Sequence, residues 1–395
     1  MKNLWTQEES SKFKTDLELR VYTSQLLGRS DELVLHGGGN TSVKSVVNDE
    51  DILYVKGSGW DLVSIKKEGF APVKLDTLIS MAKLESLSDT DMVSGQKEAM
   101  IDKTAPNPSV EAILHAIIPF KFVDHTHTDA VVTLSNTPNG KALLQELYGE
   151  NMLIIDYVMP GFILAKHIFD LTRNLDWDAL DGILLLNHGL FSFDNDAARS
   201  YDKMITLVSK AEEYIAAQTS LPKECTAIKL PNAMLSTLEE KVSALRGCPV
   251  MAKPITTIEA CALSQLPNLE EILARGGLTP EHVIRIKPFP AVVEIDVDDG
   301  LKHFVEVYQD YFTVHSDDTH IMLDSAPRYA IIKGFGAVAL GKDEKEVGII
   351  ADIVEHTLKA MLTAEQLGGW QSLVPQDLFD MEYWELEQNK LKNAK

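Results

Sequence analysis

The sequence predicts a mixed α/β fold, because short apolar runs typical of strands alternate with longer stretches of helical periodicity. The predicted strands span residues 52–55, 131–134, 153–155, 183–186, 292–297 and 329–332. The predicted helices span residues 7–27, 74–86, 109–118, 195–217, 235–246 and 343–367. The chain has 395 residues, more than one typical domain of about 100 to 200 residues, so we expect two domains. These would be residues 1–220 and 276–395, joined by a connecting segment at 221–275.

The composition excludes several classes of partner. The chain carries 37 Lys and Arg against 59 Asp and Glu, a formal net charge of −22. Such a charge repels nucleic acid and anionic lipid, so we expect a small-molecule substrate and no nucleic-acid or membrane partner. The polar N-terminus lacks the apolar core of a signal peptide, and no apolar run approaches the roughly 18 residues of a membrane span.

The cysteines indicate a compartment. Cys225, Cys248 and Cys261 are odd in number and have no Cys-x-x-Cys spacing. This pattern predicts neither a disulfide framework nor a thiolate metal site, and it favours a reducing cytoplasm.

Three histidines are candidate metal ligands. His125 and His127 lie two apart in an extended segment, so their side chains project to one face, although a lone His-x-His is more often surface or core histidine. His188 ends an apolar strand and precedes Gly189, a typical position for a site residue. Three neutral imidazoles leave an open coordination position, as catalytic zinc sites do, so the set predicts one zinc ion.

A carboxylate and two glycine-containing loops complete the candidate site. Glu111 opens a predicted helix with Ser109 as a candidate N-cap, and it either acts as a general base beside the metal or only complements the helix dipole. The loops around Gly39 and Gly59 are neither dinucleotide-binding nor Walker motifs. Their backbone amides could cradle a phosphate, or the loops are simply tight turns.

A weak internal sequence similarity, called the echo below, includes the third histidine. Residues 331–338, followed by a helix, are similar to residues 185–192, followed by theirs. If the echo reflects duplication, Phe335 stands where His188 stands, and the second domain is a degenerate repeat without that ligand. Coincidence is the alternative.

Five motifs in order resemble the class II aldolase/adducin family over residues 10–220: Gly-Asn-x-Ser, Lys-Gly-Ser-Gly, Pro-Ser-x-Glu, His-x-His and Asn-His-Gly. The remainder resembles the aldolase part of bifunctional rhamnulose-1-phosphate aldolase/alcohol dehydrogenase proteins. In those a dehydrogenase follows, whereas this sequence ends at residue 395, so we expect no hydride transfer. The resemblance implies a three-layer α/β/α domain and a homo-oligomer such as a tetramer.

The resemblance also implies roles for residues. By position, it makes His125, His127 and His188 the zinc ligands, makes Glu111 the catalytic acid/base, and puts Gly39, Asn40, Ser58, Gly59 and Ser109 in a phosphate pocket. Val110 departs from the family, which often has a second serine there, and this removes a phosphate donor. Tyr148 and Tyr157 are candidates for a proton-donating tyrosine.

The implied reaction is reversible aldol cleavage of a ketose 1-phosphate. The first candidate is L-rhamnulose 1-phosphate, which gives dihydroxyacetone phosphate and L-lactaldehyde. Glu111 favours an aldolase over the related pentulose-phosphate 4-epimerases, which resemble this pattern with Asp. The alternatives are an epimerase, decarboxylase or dehydratase using the same site, or an adducin-like binding protein without catalysis.

Overall fold

The computed structural model describes residues 1–294, 296–386 and 388, and the chain forms two compact units. The first unit comprises residues 1–131 and 141–214, and the second comprises residues 132–140 and 215–395. Each unit has its own sheet with helices, which confirms the predicted α/β class and the second domain. Within the described part of the chain, no helix has both the length and the apolar character needed to cross a bilayer.

A seven-stranded sheet organises the first unit. Its strands are β1 (Asn40–Val47), β2 (Glu50–Lys56), β3 (Phe70–Lys74), β4 (Phe122–Thr126), β5 (Met152–Ile155), β6 (Gly182–Leu185) and β7 (Gly189–Asp194). They lie in the order β3-β2-β1-β4-β7-β6-β5, with β5 parallel to β6 and the other pairs antiparallel. The β1–β2 connection is a two-residue turn in which Asn48 and Asp49 take φ of 50° and 65°, a conformation that these residue types tolerate.

Helices connect these strands. They are α1 (Gln7–Ser10), α2 (Asp16–Leu27), α3 (Leu75–Ala82), α4 (Asp89–Glu98), α5 (Ala112–Ile117), α6 (Asp129–Ser135), α7 (Gly140–Tyr148), α8 (Phe162–Thr172) and α9 (Ala197–Gln218). The predicted helix at 7–27 is two helices, because Thr15 and Glu18 form a capping box that starts α2 afresh.

Two predicted elements were wrong in type or extent. Residues 131–134 lie in helix α6, not in a strand, because a four-residue apolar run does not distinguish a strand from one buried helical turn. The strand predicted at 292–297 is only three residues long, since Asp296 caps a helix that begins at Val297; Ile295 lies outside the described residues.

A four-stranded sheet organises the second unit. Its strands are β8 (Met251–Ile255), β9 (Ala291–Val293), β10 (Tyr329–Ile332) and β11 (Gly336–Gly341). Its helices are α10 (Asn232–Arg246), α11 (Ile258–Leu263), α12 (Leu269–Leu273), α13 (Val283–Ile286), α14 (Val297–His315), α15 (Glu344–Glu365) and α16 (Pro375–Glu382). The segment predicted as a connection, 221–275, thus supplies a strand and three helices to this unit. The predicted charged tail, 387–395, lies outside the described residues apart from Gln388.

The second sheet repeats four strands of the first. Strands β8, β11, β10 and β9 have the same order and directions as β4, β7, β6 and β5. In each sheet a three-residue turn joins the antiparallel pair that precedes a 22-residue helix. The middle residue of each turn is left-handed, Asn187 with φ 60° and Gly334 with φ 79°. The sequence echo therefore corresponds to one shared topology.

The expectation that no cysteines are bridged was wrong. Cys225 and Cys261 form a disulfide within the second unit, and Cys248 is the free cysteine among the described residues. The partners are 36 residues apart, one before α10 and the other in α11, so only the fold brings them together. Spacing along the sequence carries no signal of such a pair.

A buried ion pair lies beneath strand β4. Arg20, on α2, contacts the Asp124 carboxylate, and both side chains are fully buried. The guanidinium also donates to the carbonyl oxygens of Ser42 and Val123, each at 3.3 Å, so it joins α2 to β1 and β4. Ser200 on α9 donates to the other Asp124 oxygen at 2.5 Å.

Replacing Arg20 with Met should lower the free energy of unfolding by about 3 to 5 kcal/mol, because Asp124 would be left buried without its cation. Lys12→Met is the matched control, since its pair with Glu9 is more than half exposed at the lysine and such surface pairs contribute about 0 to 1 kcal/mol. Chemical denaturation measures both. Equal losses in the two variants would contradict this role of Arg20.

Candidate active site

His125 is fixed by strand β4 and by the strands on either side. It pairs with Asn40 of β1 and with Phe191 of β7. Its ring stacks on the Phe191 ring with centroids 3.9 Å apart, and its Nδ1 lies 3.1 Å from the Leu190 carbonyl oxygen. A carbonyl only accepts, so Nδ1 carries the proton and Nε2 presents its lone pair.

His127 and His188 direct their rings to the same point. His127 follows β4, and its Nε2 lies 3.0 Å from Nε2 of His125. His188 lies in the turn between β6 and β7, which the left-handed conformation of Asn187 makes tight. One nitrogen from each of the three rings lies within 4.8 Å of the others, with His125 and His188 buried and His127 half-buried. The structure thus brings the three predicted ligands together in a group that could hold a metal ion.

Glycines make room for these rings. A Cβ on Gly189 would lie 2.9 Å from Cε1 of His125 and 3.2 Å from Cδ2 of His127. It would also lie 2.4 Å from the carbonyl oxygen of Thr126. A Cβ on Gly39, whose φ is 59°, would meet the His125 carbonyl oxygen at 2.7 Å. Both positions therefore exclude a side chain for reasons of space.

Glu111 faces the histidines from the start of helix α5. It is 4% exposed, and its Oε2 accepts a hydrogen bond of 2.6 Å from the Asn40 amide. Its Oε1 lies 3.9 Å from Nε2 of His188 and has no hydrogen-bond partner among the described residues. A buried carboxylate oxygen without a donor is costly. A bound cation or a substrate proton in front of Oε1 would compensate that cost, so the residues present fit a metal site.

Helix α5 begins later than predicted. Its first residue is Ala112, and Glu111 rather than Ser109 occupies the N-cap position. Ser109 instead accepts the Glu111 backbone N–H at 3.3 Å and an Asn40 amide hydrogen at 3.2 Å. The Ser109 hydroxyl therefore orients the carboxylate-bearing residue directly.

Two residues behind Glu111 were not found from the sequence. His115 is fully buried, with Nε2 on the Asn40 amide oxygen and Nδ1 2.8 Å from the Ser42 hydroxyl. Burial lowers the pKa of His115 well below its usual range. Lys44 donates to three carbonyl oxygens at the end of α5, those of His115, Ile118 and Phe120. The four-residue spacing from Glu111 to His115, one helical turn, was the available signal for the histidine.

Hydrogen bonds link several of the residues predicted to bind phosphate. A bridge between Gly57 and Pro108 joins the loop around Gly59 to the segment that carries Ser109, with Ser58 N–H donating to the Asn107 carbonyl at 2.9 Å. Gly59, with φ 86°, borders open space, since a Cβ there would meet no atom within 4 Å. Lys56, the first residue of the Lys-Gly-Ser-Gly motif, is 5% exposed and donates to the Gly37 carbonyl at 2.8 Å.

The tyrosine candidates differ in environment. Tyr148 is 7% exposed and donates its hydroxyl to the Leu207 carbonyl at 2.8 Å, and burial raises its pKa. Tyr157 follows β5, whose last residue accepts the Leu186 N–H at the start of the turn that carries His188. Of the two, Tyr157 is at the histidine edge of the sheet.

Replacing Gly189 with Ala should weaken metal binding by about 10- to 100-fold, the usual effect of disturbing groups that orient ligands, because the new methyl group would displace both rings of the His-x-His pair. Gly348→Ala is the control, since its Cβ would meet nothing within 4 Å. Calorimetric titration of the metal-free protein with Zn²⁺ measures both. Unchanged affinity in Gly189→Ala would contradict the ligand geometry.

Comparison with known proteins identifies the family. Residues 18–215, half of the chain, match the class II aldolase and adducin N-terminal domain. Residues 229–391 match the second domain of class II aldolases. The uncharacterized oxidoreductase YuxG of Bacillus subtilis is 30% identical over 429 aligned residues, which cover 100% of this chain. The chain spans 61% of the length of that relative.

Two solved structures are also similar to the first domain. The N-terminal class II aldolase domain of a conserved protein from Thermoplasma acidophilum is 37% identical, with a TM-score of 0.50, over 54% of this chain and 99% of that one. L-fuculose-1-phosphate aldolase from Thermus thermophilus is 16% identical, with a TM-score of 0.34, over 51% of this chain and 93% of that one. By its two matched domains, the chain belongs to the class II aldolase and adducin family.

Proposed function

We propose that this protein is a zinc-dependent aldolase that reversibly cleaves a ketose 1-phosphate. The first candidate substrate is L-rhamnulose 1-phosphate, with dihydroxyacetone phosphate and L-lactaldehyde as products. The observation that carries the proposal is the Oε1 atom of Glu111, a buried carboxylate oxygen without a donor that lies 3.9 Å from Nε2 of His188, one of three convergent imidazoles. Family membership supports a lyase reaction at this place.

The donor set favours zinc over harder cations. His125, His127 and His188 would hold the ion through neutral nitrogens, which suit zinc, whereas magnesium and calcium prefer oxygen ligands. When bound, the ion would supply Lewis-acid chemistry that polarises the substrate carbonyl.

Glu111 would move the proton. Aldol cleavage breaks a carbon–carbon bond, removes the proton of the hydroxyl that becomes an aldehyde, and returns a proton to the carbon that becomes a methylene or hydroxymethyl group. Asn40 holds Oε2, so Oε1 is the oxygen left to exchange that carbon-bound proton. Tyr157 would accept the proton of the substrate hydroxyl group during cleavage and return it in the reverse reaction. Tyr148 is less suitable, since its hydroxyl is hydrogen-bonded within the core.

The substrate phosphate would bind beside Asn40, in a pocket of neutral polar groups. The proposed pocket comprises Gly39, Asn40, Ser58, Gly59 and Ser109. It is linked by the Asn40–Ser109 hydrogen bond and by the bridge between Gly57 and Pro108. Neutral donors matter here because the chain's charge of −22 opposes anion capture. A homo-oligomer, such as a tetramer, is part of the proposal; a cytoplasmic location is not, because the Cys225–Cys261 disulfide removes the cysteine argument for it.

We also propose that the second domain is a degenerate repeat. By strand register, Pro254 lies opposite the third residue of β11 as His125 lies opposite the third residue of β7. Thr256 and Phe335 then take the places of His127 and His188. None of the three can replace an imidazole, so the repeated sheet would hold no metal.

Glu111→Gln should lower kcat by about a hundredfold or more, because the amide cannot accept the proton, while zinc stays bound. The assay is retro-aldol cleavage of a panel of phosphorylated and unphosphorylated ketoses, with product identification. Glu382→Gln is the control, since Glu382 is an equally buried carboxylate in the second unit.

Undiminished cleavage by Glu111→Gln would remove Glu111 from the mechanism. Products that are epimers, decarboxylated sugars or dehydrated sugars would reassign the reaction to those rival enzymes of the same site. Zinc binding without any turnover would favour the adducin-like binding protein.

Elemental analysis should find one zinc ion per chain, because only one three-imidazole group exists among the described residues. His127→Ala should lose the ion, whereas His282→Ala, which removes a buried histidine of the second unit, should keep it. Two ions per chain in the wild-type protein would overturn the degenerate-repeat proposal. Full occupancy in His127→Ala would overturn the ligand assignment.

A further inference from the structure

We infer that His115 is a positioning residue that orients the Asn40 amide and thereby leaves one oxygen of Glu111 free for proton transfer. This inference deepens the proposed function and rests on it for the role of Glu111. It concerns a hydrogen-bonded series of four buried side chains, which contact one another in the order Glu111, Asn40, His115 and Ser42.

The direction of every hydrogen bond in this series follows from the Glu111 carboxylate. The Glu111 carboxylate only accepts, so the amide nitrogen of Asn40 must face Oε2, at 2.6 Å. The amide oxygen of Asn40 then faces Nε2 of His115, which must donate. A neutral imidazole with its proton on Nε2 accepts at Nδ1, so the Ser42 hydroxyl donates there, at 2.8 Å.

The Glu111 carboxylate and the Nε2-protonated ring of His115 together oppose the reverse orientation of the amide. If Asn40 turned over, its carbonyl oxygen would face the carboxylate, and its NH₂ group would face the Nε2–H donor. Two like dipoles would then oppose each other inside a buried site. His115 in this tautomer therefore helps to hold the amide hydrogens toward Glu111 and toward the Ser109 hydroxyl at 3.2 Å.

This orientation of Asn40 has a consequence for catalysis. Both oxygens of Glu111 face the histidines, with Oε2 3.6 Å from Nε2 of His125 and Oε1 3.9 Å from Nε2 of His188. Asn40 occupies Oε2, so Oε1 is the oxygen that remains without a donor. A loose Asn40 would let the carboxylate rotate and exchange its two oxygens. Misplacement of this kind lowers turnover much more than substrate binding.

Backbone and ring contacts hold His115 in place. His115 donates its backbone N–H to the Glu111 carbonyl at 3.0 Å, so helix geometry fixes its distance from the carboxylate-bearing residue. Its ring packs edge-on against Phe191, 5.6 Å away, the same ring on which His125 stacks. One phenyl ring thus supports both the proposed ligand and the positioning histidine.

The first test compares two variants. His115→Gln keeps a terminal N–H near the Nε2 position, whereas His115→Leu removes it with a similar volume. The Leu variant should lose about 10- to 100-fold in kcat with KM nearly unchanged, and the Gln variant should recover most of the loss. Zinc content and melting temperature are measured in both. Equal kcat in the two variants at equal zinc content would mean that His115 only fills space.

The second test does not need turnover. Long-range ¹H–¹⁵N NMR correlations of the zinc-loaded, full-length protein with ¹⁵N-labelled histidine report which ring nitrogen is protonated, and His115→Gln assigns the signal. The expected result is a neutral ring protonated at Nε2, which should be redistributed toward Nδ1 when Asn40→Leu removes the acceptor. A ring protonated at Nδ1 in the wild type would overturn the inference. If the wild type cleaves no ketose, the proposed reaction fails, and the NMR result alone decides the role of His115.

Discussion

The pairing of strand β4 with β1 on one side and β7 on the other is the constraint on which the site depends. This pairing places Asn40 and Phe191 on either side of His125. It also brings the turn with His188 to the end of β4, because β7 begins directly after that turn. A slip of one residue in either register would turn His125 to the opposite face of the sheet. Buried Arg20, bonded to Asp124 and to both strands, opposes such a slip.

The site keeps an uncompensated polar atom in a buried place, at a cost in stability. Oε1 of Glu111 has no hydrogen-bond donor, and it lies 3.9 Å from Nε2 of His188. This arrangement is unfavourable without a cation or a substrate proton. A metal ion would therefore bind to an arrangement already held by the sheet, with little reorganisation. The neutral groups of the proposed phosphate pocket would suit an anionic substrate in a protein whose overall charge repels it.

Much of this site could be predicted from the sequence because the relevant geometry is local. Alternation along a strand puts His125 and His127 on one face, and the glycine after His188 marks a turn at a strand end. The register between distant strands is not local, so the contact of Asn40 with His125 and Glu111 needed the structure. Helix periodicity places His115 one turn after Glu111, so the nearness of these two residues is encoded locally in the sequence.

The errors have physical causes of the same kind. Residues 131–134 are mostly β-branched, which is typical of a strand. The chain turns after β4, however, and these residues are buried in helix α6. The Cys225–Cys261 disulfide joins segments that only the second sheet brings together. The sequence alone does not distinguish duplication from coincidence, since Phe335 and His188 have similar neighbours but differ in chemistry. Matching strand order and a matching left-handed turn make duplication the better proposal.

Anomalous diffraction at the zinc edge, from crystals of the zinc-loaded protein, tests the central claim most directly. The account predicts one strong peak about 2.0 to 2.1 Å from a ring nitrogen of each of His125, His127 and His188, with Glu111 beside the open coordination position. A peak held by other residues, or no peak among these three rings at full zinc occupancy, would contradict it.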